Sequence, residues 1–132
     1  TALENAANIA RSQGADNGLL SQSGITSDVA NMDGPPPGHH LVQSVDIISE
    51  IVSDPFLLGR IAAIHALSDL YAVMAQPTSA LAIINLPEAS LPIQTDQLTQ
   101  ILAGALIVLS EAGVTLSGVH TSESNTLSVG FS

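Results

Sequence analysis

Asp46 and Asp69 are the residues of this 132-residue chain whose chemistry stands out. Asp46 follows residues 41–45, an apolar run that predicts a strand, and Asp69 closes residues 60–69, which predict a helix. A carboxylate at the rim of a hydrophobic core is costly to desolvate unless a positive group meets it. Since the chain has no lysine and two arginines, we infer that Mg²⁺ with a nucleotide polyphosphate is a suitable counter-charge.

Asp28 adds a third carboxylate from a separate part of the chain. Three acidic side chains brought together form a hard oxygen site, which suits Mg²⁺ because that ion keeps waters and takes its other ligands from phosphates. The alternative is that Asp28, Asp46 and Asp69 are unrelated surface or capping residues, because acidic clusters without a fixed motif are weak signals.

Other polar residues give weaker signals. Residues 118–121 follow a predicted strand and can present backbone N–H groups and a hydroxyl to a phosphate, but an ordinary hairpin loop is the alternative. His39 and His40 are adjacent on a predicted strand, so they point to opposite faces and do not form a metal pair. His65 lies four residues before Asp69 on the predicted helix, and this spacing favours a hydrogen bond between the two.

Two further side chains, Arg60 and Ser68, are of types that can take part in chemistry. Arg60 can bind a phosphate or pair with Asp54 or Glu50. Ser68 has no histidine at a recognisable triad spacing, so hydrolase chemistry is not supported.

The bulk composition excludes several classes of partner. A net charge of −10 and a pI near 4.2 argue against nucleic acid and anionic membranes, which both attract basic residues. The absence of cysteine excludes disulfides, thiolate metal sites and a thiol nucleophile. The longest apolar run, residues 101–109, is too short to span a bilayer, and no signal peptide pattern is present, so a cytoplasmic protein is expected.

The pattern of apolar residues predicts an α/β domain with a mixed sheet covered on one face by two main helices. We expect a partly flexible N-terminal segment over residues 1–26 and the domain itself over residues 27–132. The predicted strands are 29–32, 39–45, 78–86, 114–118 and 126–131, with a polar loop at 120–125. The predicted helices are 2–11, one from the Asp54-Pro55 start to about 74, and one capped by Thr95-Asp96 and stopped by Gly113.

Residues 41–72 resemble the N-terminal domain of selenophosphate synthetase (selenide, water dikinase), within the aminoimidazole-ribonucleotide synthetase superfamily. The resemblance runs from about residue 27 to residue 130. It is carried by Val-Ser-Asp-Pro-Phe at 52–56, Gly-Arg-Ile-Ala-Ala at 59–63, Ala-Leu-Ser-Asp at 66–69, Ser-Ala-Leu-Ala-Ile at 79–83, Glu-Ala-Gly at 111–113 and Leu-Ser-Gly-Val-His-Thr at 116–121.

The resemblance implies ATP-dependent phosphorylation of selenide to selenophosphate by a homodimer that uses Mg²⁺. It assigns Asp28 and Asp69 to the metal. It assigns the nucleotide to Asp46, Asp69, Val119, His120 and Thr121.

The chain also departs from the family pattern. The family's reactive Cys or selenocysteine and its essential Lys are absent, Ser27 replaces an aspartate, His65 replaces an asparagine, and Val119 replaces a glycine. The family's second domain is missing from this sequence. We therefore expect an ATP- and Mg²⁺-binding portion that needs a C-terminal or fused domain for turnover, with no catalytic residue assigned. The alternative is an inactive dimerisation or regulatory module of the same fold.

Overall fold

A computed structural model describes residues 1–15 and 32–132 of the chain. Asp28 and nearly all of the strand predicted at 29–32 therefore lie outside the described residues. The elements are, in chain order, α1 (Ala2–Ser12), β1 (Asp46–Ser49), α2 (Pro55–Ala72), β2 (Ser79–Pro87), α3 (Leu91–Glu111), β3 (Thr115–Ser124) and β4 (Ser128–Phe131).

The four strands form one mixed sheet in the order β1-β4-β2-β3. β2 and β3 are parallel, whereas β4 runs antiparallel to both β1 and β2. Burial alternates along β2 as expected for a strand with one face on the core. Its buried residues are Ala80, Ala82, Ile84 and Leu86. The helices α2 and α3 cover this face, which confirms the predicted architecture.

The start of α2 follows from its first residues. The Asp54 carboxylate accepts hydrogen bonds from the backbone N–H groups of Phe56 (2.9 Å) and Leu57 (3.2 Å), and Pro55 has the φ that a first helical residue requires. The helix ends at Ala72, close to the predicted end.

The helix α3 begins earlier than the sequence indicated. Its N-cap is Ser90 and not Thr95-Asp96, because Pro92 in the first turn is itself a helix-start residue. Gly113 ends the helix as predicted: it adopts a φ of +70°, and the Val114 N–H donates to the Leu109 carbonyl at 2.8 Å.

A third layer is added by α1, which packs on α3. Its buried face consists of alanines, Ala6, Ala7 and Ala10. The Thr99 hydroxyl of α3 donates to the Ala2 carbonyl at 3.4 Å.

Two strand predictions are wrong in their bounds. Residues 39–45 are not a strand, and β1 instead begins at Asp46, where β4 supplies partners for four residues. The predicted loop at 120–125 is mostly strand, because β2 is long enough to pair with β3 as far as Ser124. Within the described ranges, no helix has the length and apolar character needed to cross a membrane.

Candidate functional site

Asp46 meets His65 at the contact between β1 and α2. The Nε2 atom of His65 lies 3.1 Å from the Oδ2 atom of Asp46. The Asp46 side chain is 25% exposed and that of His65 is 51% exposed, so the pair sits at the rim of the core and remains open to solvent. A neutral imidazole can donate its Nε2–H to this carboxylate, and a protonated imidazole adds an ionic attraction.

The predicted hydrogen bond between His65 and Asp69 is wrong, because His65 turns to the strand instead. Asp69 is exposed on α2, one helical turn beyond His65 on the same face. Helical spacing reveals partners within one helix only, so the contact between His65 and Asp46 had no signal in the sequence. The structure thus joins Asp46 to His65, and Asp69 lies one turn further along the same helix.

The three predicted nucleotide residues of β3 lie at the other edge of the sheet. Asp46 pairs with Phe131, Phe131 pairs with Ala82, and Ala82 pairs with Val119, so Asp46 and Val119 stand in one row across four strands. Three strand spacings amount to about 14 Å. Within one chain, residues 119–121 therefore do not form a compact site with Asp46.

The side chains of residues 119–121 differ in what they can contact. Val119 is half-buried and packs against the hydrophobic core, so its backbone is the part that can offer hydrogen bonds to a ligand. His120 and Thr121 are exposed, and they lie within β3, not in a hairpin loop.

Arg60 does not form the predicted ion pair with Asp54 or Glu50, although the structure describes all three side chains. It is exposed on α2, and its aliphatic stem lies close to Gly104 of α3. A role for Arg60 in phosphate binding stays a prediction.

A groove lined by described residues has a volume of about 1040 Å³. It lies between residues 32–44, the second half of α2 and the first residues of β2. Its described walls are mostly apolar and contain Asp33 but no Lys or Arg, so its charge does not suit a phosphate. The predicted site residues that the structure describes do not line it.

The side chains assigned to the metal and the nucleotide are of a type that fits Mg²⁺. Carboxylate oxygens are hard ligands, and Mg²⁺ in nucleotide sites is commonly held by one or two carboxylates together with phosphates and waters. Asp46 and Asp69 supply two carboxylates. Within residues 1–15 and 32–132, no group of three acidic or histidine side chains is arranged to hold a metal ion unaided.

Solved structures with the same fold include two groups of proteins. Thiamine-monophosphate kinase from Stenotrophomonas maltophilia K279a matches with a TM-score of 0.70 at 24% identity, over 99% of this chain and 40% of that one. The hydrogenase maturation protein HypE, crystallised in complex with ATP, matches with a TM-score of 0.65 at 21% identity, over 88% of this chain and 34% of its own. At these identities the likeness concerns the fold alone.

Curated relatives are more similar in sequence. Selenide, water dikinase of Geobacter sp. (strain M21) is 48% identical over 91 residues, which are 69% of this chain and 26% of that protein. The enzyme of the same name from Geobacter metallireducens is 44% identical over 107 residues, 81% of this chain and 31% of the relative. The chain thus spans between a quarter and a third of the length of these two proteins.

A family model covers most of the chain. Residues 14–132 match the family described as AIR synthase related protein, N-terminal domain, and this range contains every strand of the sheet as well as α2 and α3. This match covers more than half of the chain. The chain therefore belongs to the AIR synthase related proteins as an N-terminal domain of that family.

Proposed function

We propose that the chain is the ATP- and Mg²⁺-binding portion of a phosphotransferase similar to selenophosphate synthetase. The observation that carries the proposal is the sequence similarity to proteins named selenide, water dikinase, which reaches 48% identity. Asp28, Asp46 and Asp69, the acidic residues assigned by the resemblance, are all present in this chain.

The proposed binding of ATP and the proposed binding of Mg²⁺ rest on different observations. The HypE relative of this fold binds ATP, and a thiamine-monophosphate kinase of the same fold was crystallised with AMPPCP, an ATP analogue. The net charge of −10 would repel a free ATP tetra-anion, so Mg²⁺ has to accompany the nucleotide. Asp69 and Asp28 are its proposed ligands, and Asp46 contacts the nucleotide.

A homodimer would resolve the separation between the two halves of the proposed site. Residues 119–121 of β3 lie at the opposite sheet edge from Asp46, so a second copy is needed to bring a β3 edge beside Asp46. The sheet face that α2 and α3 do not cover, here called the open face, offers apolar side chains for such a contact, among them Ile47 at 49% exposure. Turnover would in addition require a C-terminal or fused domain, since this chain has no Lys or Cys. A cytoplasmic location stays a prediction.

Calorimetric titration with a non-hydrolysable ATP analogue and Mg²⁺ tests the proposal. We expect millimolar or tighter binding that Asp69→Ala abolishes and that removal of Mg²⁺ by a chelator reverses. The matched control is Asp96→Ala, which removes an exposed aspartate from α3 and should leave binding unchanged.

The second candidate is an inactive dimerisation or regulatory module. The missing Lys and Cys favour it. Absence of heat at any nucleotide concentration, together with a stable dimer in sedimentation, would support the module and overturn nucleotide binding.

A further inference from the structure

We propose that His65 is a positioning residue that orients the Asp46 carboxylate for the nucleotide. The proposal rests on the proposed function, in which Asp46 contacts the bound nucleotide. It concerns His65, which stands where the family usually has an asparagine. The family resemblance assigns no role to this residue.

The geometry leaves one carboxylate oxygen of Asp46 available. The recorded contact joins His65 Nε2 to Oδ2 at 3.1 Å, and the side chain of Asp46 is still a quarter exposed. An aspartate on an edge strand would otherwise rotate between rotamers. With Oδ2 held by the imidazole, Oδ1 is directed to one place, where a ligand group can meet it.

The hydrogen-bond donor, His65, lies on α2, which is held rigidly by its packing. Near its N-terminus, α2 packs closely on α3, because Gly59 lies against the Ile101 carbonyl. At the next turn after His65, the Ser68 hydroxyl donates to the His65 carbonyl at 2.6 Å. In metal sites, outer partners of this kind orient the ligand groups, and their removal typically weakens metal affinity by about 10–100-fold, which sets the scale expected for Asp46.

The test compares substitutions at His65 that differ in hydrogen bonding. His65→Gln retains an Nε2 donor at nearly the same reach, whereas His65→Leu keeps a side chain of similar size without a donor. We expect His65→Leu to weaken binding of the Mg²⁺–ATP analogue by about tenfold or more. His65→Gln should restore most of the affinity, and the control His40→Gln, at an exposed histidine before β1, should bind like wild type.

Thermal unfolding is recorded for every variant, so that a loss of fold is recognised. If His65→Leu binds as well as wild type, or if His65→Gln and His65→Leu lose affinity equally, the positioning role is overturned while nucleotide binding stands. If wild type itself binds no nucleotide, the proposed function falls and the positioning role falls with it. Nitrogen-15 NMR of the imidazole then tests the contact without nucleotide: an Nε2–H signal that is protected from exchange in wild type and lost to exchange in Asp46→Ala shows a hydrogen bond with a purely structural role.

Discussion

Gly59 in α2 lies directly against the main-chain carbonyl of Ile101 in α3. A Cβ atom at Gly59 would overlap that oxygen, and a Cβ atom at Gly104 would overlap the carbonyl oxygen of Phe56. Two glycines, one on each helix, thus let the backbones approach where any side chain would hold them apart.

Substitution of Gly104 by alanine should therefore destabilise the fold. The added methyl group meets backbone, which cannot move aside like a flexible side chain, so the free energy of unfolding should fall by about 1–3 kcal/mol. Denaturant unfolding measures the change. Gly34→Ala is the matched control, since nothing lies within 4 Å of a Cβ at Gly34. Equal stability of the two variants would contradict the close helix contact.

Asp54→Ala should lower the free energy of unfolding by about 1 kcal/mol, since it removes the acceptor for two N–H groups at the start of α2. Asp54→Asn keeps an acceptor oxygen and should retain most of the stability. Thermal unfolding of the two variants measures the difference in stability. Identical melting temperatures of Asp54→Ala and Asp54→Asn would rule out a stabilising N-cap at Asp54.

Met74→Gly should stabilise the protein. Met74 follows α2 with a φ of 57°, a conformation that costs a residue with a Cβ about 1 kcal/mol or more, and its side chain is 94% exposed and has little packing to lose. After the entropy that glycine gains in the unfolded chain, we expect a net gain of about 0.5–1 kcal/mol. Met74→Ala keeps the Cβ and should show no such gain. If the free energy of unfolding rises in both variants, the gain comes from removing the methionine side chain and not from relieving the backbone.

Ile47→Asp should weaken the proposed homodimer without unfolding the chain. Ile47 pairs with Gly130, and its side chain covers that glycine on the open face of the sheet. A charge buried there in a dimer has no basic partner, so the dissociation constant should rise at least about tenfold. Sedimentation velocity measures it. Ile64→Asp, at an isoleucine of similar exposure on α2, should leave the dimer intact; equal effects would exclude the open face as the interface.

Local chemistry in the sequence was enough to predict the helix starts and stops that depend on neighbouring residues. Asp54-Pro55 and Gly113 are examples, because caps act within one turn. The β-prone, largely apolar residues 78–86 similarly predicted a strand, and the structure adds that only one of its faces is buried. The covered face of the sheet followed from the apolar arcs of the two main helices.

Features that depend on distant partners were not predictable in this way. Residues 41–45 have a strand-like composition but no neighbouring strand, while β1 takes its length from the four residues of β4. Residues 120–124 are polar, and they pair because β2 continues beside them. The contact between His65 and Asp46 depends in turn on where β1 starts, so it emerges only from the assembled sheet.

The place of β4 in the sheet has a consequence for biosynthesis. β1 has β4 as its neighbour in the sheet, and residues 50–127 intervene between them. A ribosome therefore synthesises β1, α2, β2, α3 and β3 before the strand that joins β1 to β2 has been made. Until residues 128–131 emerge, Ile47 and Ile48 have no ladder to join, and the nascent chain carries an unpaired strand that is prone to associate with other chains.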